Sequence, residues 1–221
     1  YEALVHNSGS PPSEWVLTPF INTYDGMIKT LEYAGYEKDT GLFIFAYDWR
    51  QPVTKSGQQL VTFVNTKVLD GKPPGTQVDL VGHSMGGLVA RAAFQNGLAD
   101  KVDRVVTFGT PHKGTAKAYL AWEGADFGGF SDWWQTIGIK LVLRLNTQRY
   151  SNVVETVHKS VPSIQNLLPI EPYLKNKFGR LISLESMRWK NNFLPIPSEN
   201  TENFAGKLLA VYGKGIDTLK T

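Results

Sequence analysis

Cysteine is missing from all 221 residues. Its absence excludes disulfide staples and thiolate metal sites, so the fold has to rest on its own core. Long hydrophobic runs are missing too. The nearest approach to one, residues 137–145, is interrupted by Lys140 and Arg144 and falls short of a membrane span. No basic-then-apolar leader opens the chain. It starts at Tyr1 rather than Met, which reads as a piece of a longer protein. Excess charge of either sign is absent: 23 basic against 20 acidic residues leave +3 at pH 7. So small and scattered a surplus argues against a nucleic-acid partner. There is no internal repeat and no low-complexity tract. What is present, 42% hydrophobic and 19% charged residues, suits one sizeable globular domain or one core with an inserted subdomain.

The chain is organised around Gly82-His83-Ser84-Met85-Gly86, a G-x-S-x-G pattern. Val78, Leu80 and Val81 precede it as a short apolar run with β-branched members, the mark of a buried strand. Leu88, Val89, Ala92, Ala93 and Phe94 follow at helical spacing, with Gly97 as a stop. A serine on so sharp a strand-to-helix turn is held in a strained backbone conformation with its hydroxyl pushed above the sheet. The glycines of the pattern, Gly86 among them, are expected where strand and helix pass too closely for a side chain. The first amides of the helix point at the same spot, so Met85 N–H is placed to donate to a developing oxyanion.

Around this turn the hydrophobic pattern alternates. Thr18-Pro19 opens an amphipathic helix carrying Ile21, Tyr24, Ile28 and Leu31 up to Gly35. Residues 41–48 read as a buried strand, residues 57–69 as a second amphipathic helix, residues 103–109 as a strand and residues 207–212 as another. Strand and helix in alternation predict an α/β fold: a mostly parallel sheet, helices on both faces, and Ser84 at the C-terminal edge of the strands. The predicted strands are residues 42–47, 78–81, 105–108 and 208–211. Between residues 115 and 205 the alternation stops, and this helix-compatible, tryptophan-rich stretch reads as a cap inserted between two strands. Trp122, Phe127, Phe130, Trp133 and Trp134 cluster there, with Gly124, Gly128, Gly129 and Gly138 as flexible joints. They either pack the cap onto the sheet or form an apolar lid that admits acyl chains over the serine.

Three motifs in this order, Tyr47-Asp48-Trp49-Arg50, Gly82-His83-Ser84-Met85-Gly86-Gly87 and Phe108-Gly109-Thr110-Pro111-His112-Lys113-Gly114, resemble the lecithin:cholesterol acyltransferase-like branch of the α/β-hydrolases. Tyr212-Gly213-Lys214-Gly215-Ile216-Asp217-Thr218 resembles that family's turn after the strand that follows the cap. The resemblance runs from about Pro19 to the C-terminus, and within the cap it is compositional only. It implies a lipid-directed serine lipase, esterase or O-acyltransferase working through an acyl-serine, with a Ser–Asp–His triad and no cofactor or metal. The implied substrate is a lipid or other acyl ester, met at a membrane or lipoprotein surface. Ser84 takes the nucleophile's place and Met85 N–H one oxyanion donor. The strand with the second donor, and the usual acid and histidine, are expected outside the chain.

The residues present offer weaker partners. Asp217 follows a strand, as the acid does in many α/β-hydrolases, and equally reads as a turn aspartate beside Gly215. His83 reads as a packing group, and His6, His112 and His158 stand in unpromising places for a base. Asp48 and Arg50 read as an ion pair or a cap, and Trp49 as a pocket wall. Two further readings stand beside the main one: a catalytically inactive, hydrolase-like interaction domain, and an enzyme for small esters or peptides, against which the aromatic cap speaks.

Overall fold

The computed structural model describes residues 24–127, 150–194 and 201–215. Its sheet has three strands, β1 (Val78–His83), β2 (Val102–Phe108) and β3 (Leu208–Val211), all parallel and in spatial order β1-β2-β3. Leu80 pairs with Val105, and His83, Phe108 and Val211 stand abreast at the C-terminal end. The ladder runs one step further, since Ser84 N–H donates to the Phe108 carbonyl and Gly109 N–H to that of Val211, both at 2.9 Å. The chain thus leaves all three strands at one rim.

The helix α2 (Val53–Phe63) packs on α3 (Met85–Ala93), and α3 in turn packs on β1 and β2, covering one face of the sheet. Leu80, Val102 and Val105 meet Leu60, Val61, Leu88, Val89 and Phe94 there in one apolar cluster. Fully burying a side chain such as Phe94 or Leu88 is worth roughly 1.5–3 kcal/mol each. The helices cross at a small-residue contact: a Cβ on Gly57 would lie 2.5 Å from the Ala92 Cβ. The expected helix start at Gly57 is therefore corrected. Gly57 lies inside α2, where it serves packing, and the helix begins after Pro52. Val81, Leu209 and Val211 on the other face are 46%, 60% and 42% exposed.

Two other expectations change. Residues 43–48 form no strand; Leu42 makes an isolated bridge with Lys38, and Phe45 and Tyr47 stack on each other and pack against the core. A strand needs a neighbour for its backbone groups, and among the described residues no ladder partner pairs with residues 43–48. The first helix, α1 (Asp25–Tyr33), ends as expected near Gly35, but none of its residues is buried. The predicted start at Thr18-Pro19 lies outside the described residues.

The chain between β2 and β3 builds a second, smaller cluster. It is made by α4 (Ala116–Gly124), α5 (Val153–Ser160) and a 3-10 turn at Pro162–Leu167. Trp122, Phe127, Val157, Val161, Ile164 and Leu168 fill it. Asparagines join it to the sheet core. Asn166 Oδ1 accepts from Val53 N–H at 2.8 Å, satisfying an otherwise orphan amide at the start of α2. Buried Asn191 donates to the carbonyls of Asn166 and Leu168, and accepts from the amides of Phe193 and Leu194. A last helix, α6 (Thr201–Lys207), returns to the sheet core by setting Phe204 against Phe94.

Candidate active site

Ser84 sits at φ 52°, ψ −126° between the end of β1 and the first residue of α3. An L-residue reaches such a conformation only at a cost of roughly 1–3 kcal/mol. Three neighbours impose it. Ser84 N–H is tied to Phe108, Gly87 N–H donates to the Ser84 carbonyl at 3.2 Å, and Thr110 Oγ1 donates to the same carbonyl at 2.8 Å. With its backbone held on both sides, the residue projects at the sheet rim and is exposed. The amides of Met85 and Gly86 open α3 at the same place, and the first N–H groups of a helix have no partner within it.

Of the pattern's two glycines, the close approach falls on Gly82 as expected, but not on Gly86. A Cβ on Gly82 would lie 2.6 Å from the Gly87 nitrogen, and one on Gly87 would lie 2.2 Å from Thr110 Oγ1 and 2.8 Å from Thr107 Cγ2. Gly86 has room, its nearest neighbour being the Tyr47 hydroxyl at 3.8 Å. Steric demand therefore rests on Gly82 and Gly87. Gly87 lies outside the five-residue pattern, and Thr110 belongs to a turn 26 residues after Ser84. The doubled glycine after Met85 was the available signal.

Tyr47 and Tyr24 flank the turn. Tyr24 OH and His83 Nδ1 share a hydrogen bond of 3.2 Å, with the rings edge to face. Burial raises the pKa of both tyrosines, so both stay protonated at neutral pH. Among the described residues, no histidine hydrogen-bonds the Ser84 side chain. His112 Nε2 pairs with Thr107 Oγ1 at 3.0 Å. Burial, and then the nearby Arg91 charge, hold its pKa below the usual histidine value. His158 Nε2 donates to the Trp122 carbonyl at 2.8 Å and stacks on the Trp122 ring at 3.9 Å.

A family model described as lecithin:cholesterol acyltransferase matches residues 14–195. The chain belongs to this family. No curated protein matches it. Among solved structures it is similar to one titled the Tle4-Tli4 complex, at 23% identity and a TM-score of 0.40, with 62% of this chain and 29% of that one covered. It is also similar to the Bacillus licheniformis lipase BlEst2 in mature form, at 22% identity and a TM-score of 0.35, with 56% and 42% covered. The chain thus spans less than half of the length of these structures.

Within this member of the family, the other expected residues lie as follows. Asp48 and Arg50 form the expected ion pair, buried and bidentate, with Nε to Oδ1 at 2.8 Å and Nη2 to Oδ2 at 2.7 Å. Trp49 between them is 39% exposed. Trp122 and Phe127, expected to line a substrate path, are each 3% exposed inside the second cluster, with Trp122 packed against His158 and Trp189. Their rings serve that cluster's own packing. Phe130, Trp133, Trp134, His6 and Asp217 lie outside the described residues.

Proposed function

We propose that this chain carries the nucleophilic centre of a serine hydrolase or O-acyltransferase acting on acyl esters of lipids. The observation that supports this reading most is the positive φ of Ser84 at the junction of β1 and α3. Such strain persists only where surrounding contacts over-determine it, and it collects at functional sites. Family membership supports a lipid acyl ester as the substrate class.

In this reading, Ser84 Oγ attacks the acyl carbonyl. The carbonyl oxygen becomes an oxyanion at the start of α3, where Met85 N–H donates to it. One such donor is worth roughly 10²–10³ in rate. A serine hydroxyl is a weak nucleophile until a base takes its proton. His83, His112 and His158 are engaged elsewhere, so the base comes from outside the described residues. Asp217 stands as a candidate for the acid that orients it. Collapse of the tetrahedral intermediate expels the alcohol and leaves an acyl-serine. Water then releases a fatty acid, or a second alcohol takes the acyl group. In the same reading Trp49, held between the paired Asp48 and Arg50, serves as a pocket wall.

A catalytically inactive domain is the second reading, favoured by the same absence of a histidine at Ser84 among the described residues. The test is to incubate the chain, and the longest natural form of the protein, with an activated acyl ester and to map adducts by mass spectrometry. Acylation of Ser84 in either form, abolished in Ser84→Ala, supports the enzyme. Turnover without a Ser84 adduct, or no adduct in any form, overturns it.

A further inference from the structure

Residues 174–182 form a hairpin whose turn is bonded from within. Asn176 N–H donates to the Arg180 carbonyl and Gly179 N–H to the Asn176 carbonyl, both at 2.9 Å, with Gly179 at φ +77°. This is a three-residue loop of Lys177, Phe178 and Gly179, with glycine in the left-handed position it favours. Asn176 Oδ1 also accepts from the amides of Phe178 and Arg180. Behind the loop, Lys175 and Leu181 form an antiparallel bridge, and Ile182 N–H donates to the Leu174 carbonyl.

None of these bonds involves the Phe178 side chain, and turn positions are usually filled by small polar residues. Yet Phe178 stands at the tip, 75% exposed, with Leu181 beside it at 56%. Among the described residues, no other large, wholly apolar side chain is as exposed as Phe178. Single exposed apolar residues are common and carry no message. This one differs in its setting. Lys175, Lys177 and Arg180 surround it, all exposed, and the hairpin contains no acid. Lys177 Nζ lies 5.0 Å from the centre of the Phe178 ring.

We infer that this hairpin is a docking tip for an anionic phospholipid bilayer: Phe178 and Leu181 enter the headgroup–acyl boundary while Lys175, Lys177 and Arg180 meet the phosphates. An apolar tip in a collar of cations suits that boundary, where long basic side chains extend to the headgroups. Each basic residue near such a surface strengthens binding about fivefold. A single-stranded nucleic acid fits less well, because Leu181 offers no flat face to a base and three cations at a tip form no groove along a backbone. The rigid backbone of the turn means that little order is lost on docking. The surface also differs from the tryptophan-rich stretch in which the sequence suggested a lipid-facing site.

The test uses the whole chain and vesicles of phosphatidylglycerol mixed into phosphatidylcholine, beside vesicles of phosphatidylcholine alone. Wild type is expected to sediment with the anionic vesicles, less so as salt rises. Phe178→Ser and the double variant K175E/K177E should each lose about tenfold or more in partitioning while keeping the wild-type melting curve. In Phe178→Trp with native tryptophan emission subtracted, the added signal should shift to the blue on vesicle addition. A control, K29E/K72E, makes the same charge change at exposed positions elsewhere and should still bind. Equal sedimentation with both vesicle types, an unshifted signal from the introduced indole, loss of binding in the control to the same degree, or binding to single-stranded RNA but not to vesicles would each overturn the proposal. Ser84→Ala leaves every one of these readouts unchanged, so the outcome is independent of the catalytic reading.

Discussion

The two apolar clusters are held together by different means. Under the sheet, aliphatic side chains from α2, α3 and β2 fill space against one another, and closeness is set by the smallest residues, Gly57 against Ala92 and Gly87 against Thr107 and Thr110. Between β2 and β3 the cluster is smaller, and beside its aliphatic side chains Trp122, His158 and Trp189 stand in mutual ring contact. It is moored by side chains bonding to backbone: Asn166 to Val53, Asn191 to four main-chain groups, Asn152 to the start of α5. One region is specified by shape and the other by hydrogen-bond valence. The first should fail when volume is added, and the second when a polar group is removed.

The largest effect is expected from adding volume beside the candidate nucleophile. Gly87→Val drives methyl groups into Thr107 and Thr110, and should abolish soluble expression or cost more than about 4 kcal/mol. Gly86→Ala, one residue earlier, meets nothing closer than 3.8 Å and should leave the melting temperature within a few degrees of wild type. Similar losses in the two variants would erase the distinction drawn between these glycines.

Next comes the mooring. Asn191→Ala strands two amides and two carbonyls in a buried place, and about 3 kcal/mol should be lost. Denaturant titration with Trp fluorescence should show the second cluster, which holds Trp122 and Trp189, loosening before the sheet. A single transition with an unchanged midpoint would mean that the network is dispensable. Asn152→Ala removes only the side-chain cap on α5 and should cost about 1 kcal/mol.

The smallest effect concerns pH. His112 binds its proton less readily folded than unfolded, because burial and Arg91 oppose the charge. Between its depressed folded value and the ordinary one near 6.5, the unfolded chain therefore holds more proton, and stability falls as pH drops through that window. His112→Asn should flatten this part of the stability profile. A wild-type profile level between pH 7 and the acid side of the window would contradict the assignment.

The contrast also explains what was legible in the sequence. The turn at Ser84 is local, with strand, glycine, serine and helix contiguous, and periodicity located it together with β1, β2 and β3. Residues 42–47 misled because an apolar run records burial, whereas a ladder depends on which neighbour is present. Gly87 went unassigned because its demand arises from Thr110, which only the fold brings near. The second cluster was the least readable part. Trp122 and Phe127 looked like a surface over the serine since nothing in their own stretch announces His158 or Val157 as partners. The asparagine moorings carry no periodicity at all.

Glycine adopts the positive φ of Ser84 freely, so Ser84→Gly should fold at least as well as wild type, and up to about 1 kcal/mol better once glycine's extra chain entropy is counted. Thermodynamics and chemistry therefore pull this codon in opposite directions. In a lineage that no longer needs the hydroxyl, drift toward glycine carries no penalty in folding. The residue found at this position in any relative thus serves as a record of whether chemistry is still under selection there.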